Sequence, residues 1–511
     1  MEIIENRALL LRVKNPQQLA AAIPKSKHLG DNNVLVRWGV TETHILNGMN
    51  IKVPSPIYGR YSWPGRYKPM AHQKVTSAFL TMHKRALCLS EQGVGKTLSA
   101  IWAADFLMEQ GLVKKALVVC PVSIMDVAWR ADLFNAAMHR SVGIAYGSAD
   151  RRKKVVAERP DFLIVNYDGL GIIKPEIAAS GYDLIIVDEC TFVKNVQTKR
   201  WKTLNSLVRP DTWLWLMTGT PAAQGPEDAY GLAKLVNPAG VPRFFSAWRD
   251  MVMVNVTRFR WEPRPNATDI VFKALQPSIR FTKEECLDLP DMTYVKRDVP
   301  LTQQQQVYYK KLKNRMVMEA AGETVTAVNA AVAMNKLLQI SCGAVYTDDK
   351  ESVEFDIAPR YAVLREVLDE APHKVLVFVP FRHVMDILQE KLSKDGITAA
   401  VIRGDVAVSD RTDIFRAFQT DRDPRVLLIQ PQSAAHGVTL TAASTIVWWS
   451  PTASLETYSQ ANARVHRTGQ TNKCTVVQLQ GSPVERRVYK LLDDKIDVNT
   501  KLVEMFSNDV D

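Results

Sequence analysis

Residues 89–97 read Leu-Ser-Glu-Gln-Gly-Val-Gly-Lys-Thr and join a strand-like apolar run to a helix-like segment. The run Ala86 to Leu89 comes before the turn, and apolar residues at three-to-four spacing follow it until Gly111, as in a helix. Glycines at such a junction let backbone N–H groups approach phosphates, and the amino end of the helix adds favourable polarity. The stretch therefore predicts a phosphate-binding loop, although Ser90 replaces the first glycine of the G-x-x-x-x-G-K-T pattern.

The residues of this loop have separate expected tasks. Gly93, Val94 and Gly95 would form the cradle for the phosphates. Lys96 would neutralise the β- and γ-phosphates of a nucleotide, and Thr97 would hold Mg²⁺. Taken alone, the motif also fits a glycine turn with a solvated lysine.

Two acids follow the apolar run Leu184 to Val187. Carboxylates at the end of a buried strand are costly unless a cation accompanies them, and Mg²⁺ is such a cation. We expect Asp188 to bind the metal and Glu189 to orient and deprotonate an attacking water. The alternative is a pair of acids solvated at a strand end.

A third apolar run, Trp213 to Met217, ends in Thr218, Gly219 and Thr220. Many strands end in hydroxyl groups and a tight turn, so this motif is weak by itself. Its position after the two acids makes these residues candidates for the same site.

Arg464 and Arg467 lie three positions apart within residues 460–470, which predicts that they share one helical face. Two guanidinium groups at this spacing suit bidentate contact with a γ-phosphate, and an arginine finger contributes about 10³ to 10⁵ in rate. An ordinary basic helix face remains the alternative.

Short, continuously apolar runs recur in two parts of the chain, as expected of strands buried on both faces of a parallel sheet. The first set comprises Ala86 to Leu89, Ala116 to Cys120, Phe162 to Asn166, Leu184 to Val187 and Leu214 to Met217. The second comprises Val375 to Val379, Ala399 to Ile402, Val426 to Ile429, Thr445 to Trp449 and Thr475 to Leu479. The pattern predicts an α/β fold with two doubly wound parallel-sheet lobes.

The remaining sequence gives expected domain limits. A small N-terminal module occupies residues 1–60, and the first lobe occupies 61–297. Within that lobe, a proline-rich stretch at about 222–280 predicts an irregular or helical insert. The second lobe follows at 298–490, with a C-terminal tail at 491–511.

The composition fits a globular protein of about three domains, since the 511 residues are 46% hydrophobic and 23% charged. No apolar stretch reaches the roughly 18 residues needed to span a bilayer, and the acidic start does not fit a secretory signal, so we expect a cytoplasmic protein. The six cysteines are scattered, which predicts neither structural zinc nor disulfides. The net charge of +11 favours a polyanionic partner, although many proteins share it.

These motifs in this order resemble the core of superfamily-two helicases, above all the Swi/Snf-like branch. Residues 67–73 are similar to the segment with which that branch reads adenine, which assigns this role to Gln73. Residues 120–129 resemble a segment that touches the DNA backbone, which makes Ser123 a candidate contact. The most branch-specific element is Val465-His466-Arg467-Thr468-Gly469-Gln470. Further similarity lies in Lys194-Asn195, Arg280-Phe281-Thr282-Lys283 and Leu289-Pro290.

The resemblance implies two RecA-like lobes, with ATP and Mg²⁺ as cofactors and double-stranded or branched DNA as the partner. The implied activity is that of a DNA-dependent ATPase, a small monomeric translocase of phage or bacterial type that moves on duplex DNA and remodels branched or protein-bound DNA, as in repair or recombination. Lys96, Glu189, Arg464 and Arg467 would then be catalytic. Gly437 would contact the nucleotide, and Thr218, Gly219, Thr220 and Gln460 would couple nucleotide state to DNA.

Further DNA contacts are expected in both lobes. Arg258, Arg260 and Trp261 interleave cations and aromatic rings in the insert, which suits a backbone-and-stacking surface, although the rings also fit simple packing. Arg382 is a candidate contact of the second lobe.

The sequence departs from the family pattern at Cys190-Thr191 and at Ala434-Ala435-His436-Gly437. Both segments lie where the family passes nucleotide state to DNA, so we expect these departures to affect coupling more than hydrolysis. Two alternatives remain open: a strand-separating helicase on DNA or RNA, and a nucleic-acid-binding scaffold with a decayed ATP site. The intact lysine, acids and arginines argue against the scaffold.

Overall fold

The computed structural model describes residues 1–222, 225–257, 260–286, 289–322, 327–346, 352–434, 438–467 and 469–492. The chain divides into two compact units, the first of which includes Met1 to Cys286. Each unit contains one parallel sheet flanked by helices, which confirms the predicted α/β class with two sheet-based lobes.

The first 60 residues form a four-stranded antiparallel sheet with two main helices. Its strands are β1 (Glu2–Ile4), β2 (Ala8–Arg12), β3 (Ser26–Gly30) and β4 (Asn33–Arg37), in the order β1-β2-β4-β3. Helices α1 (Pro16–Ala22) and α2 (Val40–Gly48) belong to the same module, and α3 (Ile57–Arg60) follows. Side chains alternate along β2 and β4, so one face of the sheet supplies a small hydrophobic core and the other does not.

The sheet of the first lobe has seven parallel strands in the order β13-β5-β10-β9-β6-β8-β7. They are β5 (Arg85–Cys88), β6 (Ala116–Cys120), β7 (Val142–Ala145), β8 (Phe162–Asn166), β9 (Leu184–Asp188), β10 (Trp213–Met217) and, after the hairpin β11 (Met253–Thr257) and β12 (Arg260–Pro263), β13 (Ser278–Ile279). All residues of β6, β8, β9 and β10 are buried, as their continuous apolarity predicts.

Helices cover both faces of this sheet. They are α4 (Ala71–Met82), α5 (Lys96–Glu109), α6 (Val122–Ile124), α7 (Ala131–Ala136), α8 (Ala149–Ala157), α9 (Tyr167–Leu170), α10 (Lys174–Ser180), α11 (Lys199–Asn205), α12 (Ala229–Val236), α13 (Phe245–Val252), α14 (Ala267–Ala274) and α15 (Lys283–Cys286). A π-helical turn, Met125–Arg130, joins α6 to α7. The proline-rich stretch thus holds α12 to α14 and the hairpin before the chain returns to the sheet at β13.

The sheet of the second unit has six parallel strands in the order β14-β21-β20-β17-β19-β18. The strands are β14 (Met292–Asp298), the small hairpin β15 (Ala344–Tyr346) and β16 (Ser352–Glu354), β17 (Lys374–Phe378), β18 (Ala399–Ile402), β19 (Val426–Ile429), β20 (Ala443–Trp448) and β21 (Cys474–Gln480). The helices are α16 (Gln303–Gly322), α17 (Ala327–Cys342), α18 (Ala358–Glu370), α19 (Arg382–Lys394), α20 (Val408–Thr420), α21 (Pro431–Ala434) and α22 (Leu455–Asn462).

Strand β14 lies in the sheet of the second unit, although the expected domain limit at residue 297 placed nearly all of it in the first lobe. It pairs with β21 along its whole length. No helix in the described ranges is both long and apolar enough to cross a membrane. All six cysteines are free thiols, and every one except Cys286 is buried.

Candidate nucleotide-binding and catalytic site

The predicted site residues of the first lobe follow strands that are neighbours in the sheet. The order β5-β10-β9-β6 brings the carboxyl ends of these four strands to one edge. In register, Cys88 of β5 lies beside Met217 of β10, and Met217 lies beside Asp188 of β9. The lysine-bearing loop, the Thr218 turn and the two acids therefore meet at the edge where parallel α/β sheets bind ligands.

The loop between β5 and α5 has the backbone of a phosphate cradle. Gly93 and Gly95 have φ values of 90° and 83°, a region that side chains with a Cβ rarely adopt. A Cβ on Gly95 would also lie 2.0 Å from Nε2 of Gln73, so the amide of Gln73 covers this glycine. Val94 is buried, and its carbonyl accepts a hydrogen bond from His72 Nε2 at 2.8 Å.

Lys96 begins α5, and its side chain turns back into the loop. Its Nζ donates to the carbonyls of Ser90 and Glu91 at 2.7 and 3.0 Å. The ammonium group is thus held by neutral acceptors, and phosphate oxygens would outcompete them because they add the attraction of an opposite charge. Thr97 follows in the first turn of the helix, half-buried.

Ser90, which replaces the first glycine of the pattern, makes a contact that glycine could not make. Its side chain is buried, and its Oγ accepts a hydrogen bond from the backbone N–H of Phe281 at 3.1 Å. The N–H of Glu91 in turn donates to the carbonyl of Phe281 at 2.9 Å. The serine therefore ties the loop to the segment after β13, which a glycine would leave without a side-chain bond.

Arg280 contacts the same loop through its side chain. Its guanidinium is buried, donates to the carbonyl of Leu89 at 2.5 Å and pairs with Glu91 Oε1 at 3.3 Å. Burial lowers the pKa of Arg280, and the charge of Glu91 opposes that effect. Sequence comparison identified Arg280 as part of a family signature, and the structure assigns it to the support of the loop.

Asp188 has a buried carboxylate with two hydrogen-bond donors. The indole Nε1 of Trp129 donates to Oδ2 at 2.9 Å, and the N–H of Glu189 donates to Oδ1 at 3.0 Å. Burial raises the pKa of Asp188, while Lys96 and the bond from Trp129 oppose the rise. A buried, fixed carboxylate beside an ammonium group suits Mg²⁺, which prefers oxygen ligands.

Glu189 adopts a left-handed backbone with φ 53° and ψ 54°, which is strained for a residue with a side chain. The hydroxyl of Tyr167 holds this bend, because it donates to the carbonyls of Asp188 and Glu189 at 2.6 and 3.1 Å. Sequence reasoning missed Tyr167, whose only signal was its position directly after strand β8.

We predict that Trp129→Phe lowers metal-dependent activity by about 10-fold and raises the Mg²⁺ concentration needed for nucleotide binding. Groups that orient a metal ligand typically contribute 10- to 100-fold in affinity or activity. Magnesium titrations of the binding of a fluorescent ADP analogue and of ATP turnover check the result. Trp215→Phe is the matched control, since its buried indole donates to His83 O at 3.1 Å; an equal effect there would contradict the assignment.

The turn after β10 closes the site. Thr218 is buried, and a Cβ on Gly219 would lie 3.5 Å from Gln92, so this turn packs on the lysine-bearing loop. Thr220 donates through its N–H to Thr218 Oγ1 at 3.2 Å. Thr220 Oγ1 and Gln92 Oε1 are buried and have no hydrogen-bond partner in the described ranges. These unpartnered atoms beside the cradle fit a site built for a polar ligand.

The expected DNA contacts of the first lobe have different environments. Ser123 lies in α6 after β6, and its Oγ is buried with no partner among the residues that the structure describes. Trp261 packs partly buried on the core, and the guanidinium of Arg249 lies over its ring at 4.2 Å. Arg260 begins β12, and Arg258 lies outside the described residues.

The prediction that Arg464 and Arg467 share a helical face is wrong, because α22 ends at Asn462. The indole of Trp448 donates to Asn462 Oδ1 at 2.9 Å, and the N–H of Leu440 donates to the Arg464 carbonyl at 2.9 Å. These contacts with other segments end the helix and direct the chain into a turn. Arg464 is buried in that turn, and Arg467 follows it.

The turn that carries the arginines is anchored at both of its ends. Gln470 is buried and donates through Nε2 to Ala443 O at 2.8 Å. The ring of His466 bonds through Nε2 to Pro290 O at 2.8 Å. Arg467 donates through Nη1 to Val438 O at 3.4 Å. The branch-specific glutamine thus positions the backbone of the turn.

Two other expected residues of the second unit lie in helices, and a third lies outside the described residues. Gln460 is buried in α22 and donates to Glu456 Oε1 at 3.2 Å. Arg382 begins α19 after β17, half-exposed and 3.9 Å from Asp405 Oδ2. Gly437 lies outside the described residues.

Comparison with protein families gives two matches. Residues 72–343 match the SNF2-related domain, and residues 359–469 match the helicase conserved C-terminal domain.

Similar proteins come from several groups of organisms. The nuclear protein STH1/NPS1 of Saccharomyces cerevisiae is 26% identical over 465 residues, which cover 83% of this chain and 33% of the yeast protein. SWI/SNF-related matrix-associated actin-dependent regulator of chromatin subfamily A-like protein 1 of Xenopus tropicalis is 26% identical over 436 residues, which cover 81% of this chain and 42% of that protein. The chain thus spans less than half the length of these relatives.

Among solved structures, the Sulfolobus solfataricus SWI2/SNF2 ATPase core in complex with dsDNA aligns with a TM-score of 0.43 and 20% identity. The alignment covers 88% of this chain and 95% of that chain. A likeness of this strength carries no functional argument.

Proposed function

The chain belongs to the SNF2-related family, whose helicase-like ATPase core it carries, and on this premise we propose that it couples ATP hydrolysis to translocation on double-stranded DNA. The proposed outcome is the remodelling of branched or protein-bound DNA. The observation that supports hydrolysis most directly is the meeting of the Lys96 loop with the buried carboxylate of Asp188 at one sheet edge.

The proposal assigns a chemical task to each group of the first lobe. Lys96 leaves the loop carbonyls to bind the β- and γ-phosphates, and Gln73 reads the base. Thr97 and Asp188 would hold Mg²⁺, which supplies charge neutralisation on the phosphates. Glu189 orients the attacking water and accepts its proton at the carboxylate. We assign Arg464 and Arg467 the role of arginine fingers for the transferred phosphate.

DNA as the track is supported by charge and by the named relatives. The net charge of +11 favours a polyanion. The Xenopus relative is named a regulator of chromatin, and a Danio rerio relative that is 24% identical is named chromodomain-helicase-DNA-binding protein 1-like. Ser123, the expected contact with the DNA backbone, lies in α6 directly after β6.

We predict that blunt duplex DNA stimulates ATP turnover several-fold more than single-stranded DNA or RNA. The measurement is steady-state ATPase activity titrated with duplex, forked and single-stranded DNA and with RNA at one salt concentration. ATP-dependent displacement of a third strand from a triplex, without unwinding of a fork, would support translocation. Stimulation by RNA alone would overturn the proposal, and fork unwinding would favour the strand-separating alternative.

A further inference from the structure

A groove lined by cations lies on the N-terminal module, and none of its lining residues is a predicted residue of the ATP site. Its volume is about 400 Å³, and its walls include Arg7, Lys25, Lys27 and Arg37. Ala8 and Leu35 contribute apolar surface between them.

The strand pattern accounts for this concentration of charge. On β2 and β4, Leu9, Leu11, Val34 and Val36 turn inward to the module core. In the antiparallel register Ala8 lies opposite Arg37, and Lys27 lies opposite Leu35, so these four side chains share the outer face. Strand spacing and rise place the Cα atoms of Lys27 and Arg37 roughly 8 Å apart.

The turns beside the sheet place the other two cations. Glu5 and Asn6 both have positive φ values, 49° and 54°, in the turn between β1 and β2, and Arg7 follows them. Lys25 itself has a φ of 53°, and its carbonyl accepts the N–H of Arg37 at 3.2 Å. Left-handed backbone at residues other than glycine is strained, and such strain concentrates at functional sites.

The four cations of the groove are not held in close ion pairs. Within the described ranges, no ion pair joins any of the four residues of the groove to an acid. The guanidinium of Arg60 adds to the local charge. Burial lowers its pKa, Arg37 and Arg7 lower it further, and only the buried Glu42 opposes them. A polyanion would relieve this like-charge repulsion.

We infer that this groove binds the backbone phosphates of DNA as a contact separate from those of the two lobes. The inference rests on the proposed function, in which DNA is the substrate. The cations are spread along an open surface with apolar patches between them, which suits a sugar-phosphate chain better than one small anion. Phosphate contacts of this kind add affinity and orientation without reading sequence.

The test compares two pairs of exposed lysines within the same module. Lys25→Gln/Lys27→Gln removes two charges from the groove, and Lys14→Gln/Lys52→Gln removes two charges outside it. Anisotropy of a labelled duplex is measured over a salt series without nucleotide. We expect the groove variant to lose about 10-fold or more in affinity at 0.1 M salt and to lower the salt slope by roughly 1 to 2, because each phosphate contact contributes about 0.9. The control pair should stay close to the wild-type values.

The outcomes separate this inference from the function on which it rests. Failure of the wild-type chain to bind duplex DNA would overturn the proposed function itself. Wild-type binding with the same slope in both double variants would overturn only the groove assignment. The same anisotropy series is run with RNA and with polyglutamate. If the groove variant loses affinity for one of these but keeps its affinity for duplex DNA, the groove binds another polyanion and the inference is overturned. Lys25→Arg/Lys27→Arg should restore affinity, and equal thermal unfolding midpoints would exclude misfolding as the cause.

Discussion

Replacing Lys96 with alanine is expected to lower ATP turnover by at least about 10²- to 10³-fold, the loss typical when one charge-stabilising group is removed from an active site. The ammonium group lies inside the loop, within hydrogen-bond distance of Ser90 O and Glu91 O, where phosphate oxygens would compete for it. The two acceptors that hold it are backbone carbonyls, which carry no formal charge. Neutral groups of the loop therefore cannot replace its charge.

The measurement is steady-state ATPase activity with saturating duplex DNA, together with duplex binding over a salt series. The variant should bind duplex with the same salt slope as the wild type, because the proposed function assigns this lysine to the nucleotide and not to the DNA. Lys114→Ala provides the control, since Lys114 is an exposed lysine of the same lobe. Equal turnover in Lys96→Ala and the wild type would refute the placement of the ATP site.

The sequence predicted the central strands well because their signal is local. A strand buried on both faces must be apolar at nearly every position, and the expected runs at Ala116–Cys120 and Phe162–Asn166 coincide with β6 and β8. Strand β14 gave no such signal, because exposed residues recur along its length. Only its pairing with β21, 182 positions away in the chain, makes Met292–Asp298 a strand.

In the candidate site, too, contiguous motifs could be recognised from the sequence, whereas contacts between residues far apart in the chain could not. The lysine-bearing loop is contiguous, so its glycines and its lysine could be recognised directly. The bond between Trp129 and Asp188 joins residues 59 positions apart, and that between Arg280 and Leu89 joins residues 191 apart. No periodicity within one segment encodes such contacts. The end of α22 was missed for the same reason, because Trp448 and Leu440 decide it from other segments.

Replacing Glu485 with alanine is expected to destabilise the second unit by about 3–5 kcal/mol, the cost of leaving one partner of a buried ion pair uncompensated. Glu485 is fully buried, and its Oε1 accepts from Arg360 Nη2 at 2.6 Å. Its Oε2 accepts the N–H groups of Gly481 and Ser482 at 2.8 and 3.0 Å. Burial lowers the pKa of Arg360, but the charge and hydrogen bond of Glu485, together with Cys342 and Tyr489, raise it on balance. The variant would therefore bury a charged arginine without its carboxylate.

Urea unfolding followed by circular dichroism checks this expectation, and Glu390→Ala is the control because its bond to Lys394 lies on the exposed surface. Arg360→Met/Glu485→Leu separates two causes of the loss. If the loss comes from an uncompensated charge, the apolar pair should recover most of it, since buried ion pairs often exchange for apolar residues at little cost. If the double variant is as unstable as Glu485→Ala, the bonds from Glu485 to the turn after β21 contribute more than the charge does.

Arg360 also donates to Ser341 O and Leu479 O, so the ion pair joins α18 to the end of α17 and to β21. Loss of these bonds would loosen β21, which follows the turn that carries Arg464 and Arg467. The stability of this unit therefore affects how firmly the two arginines are positioned.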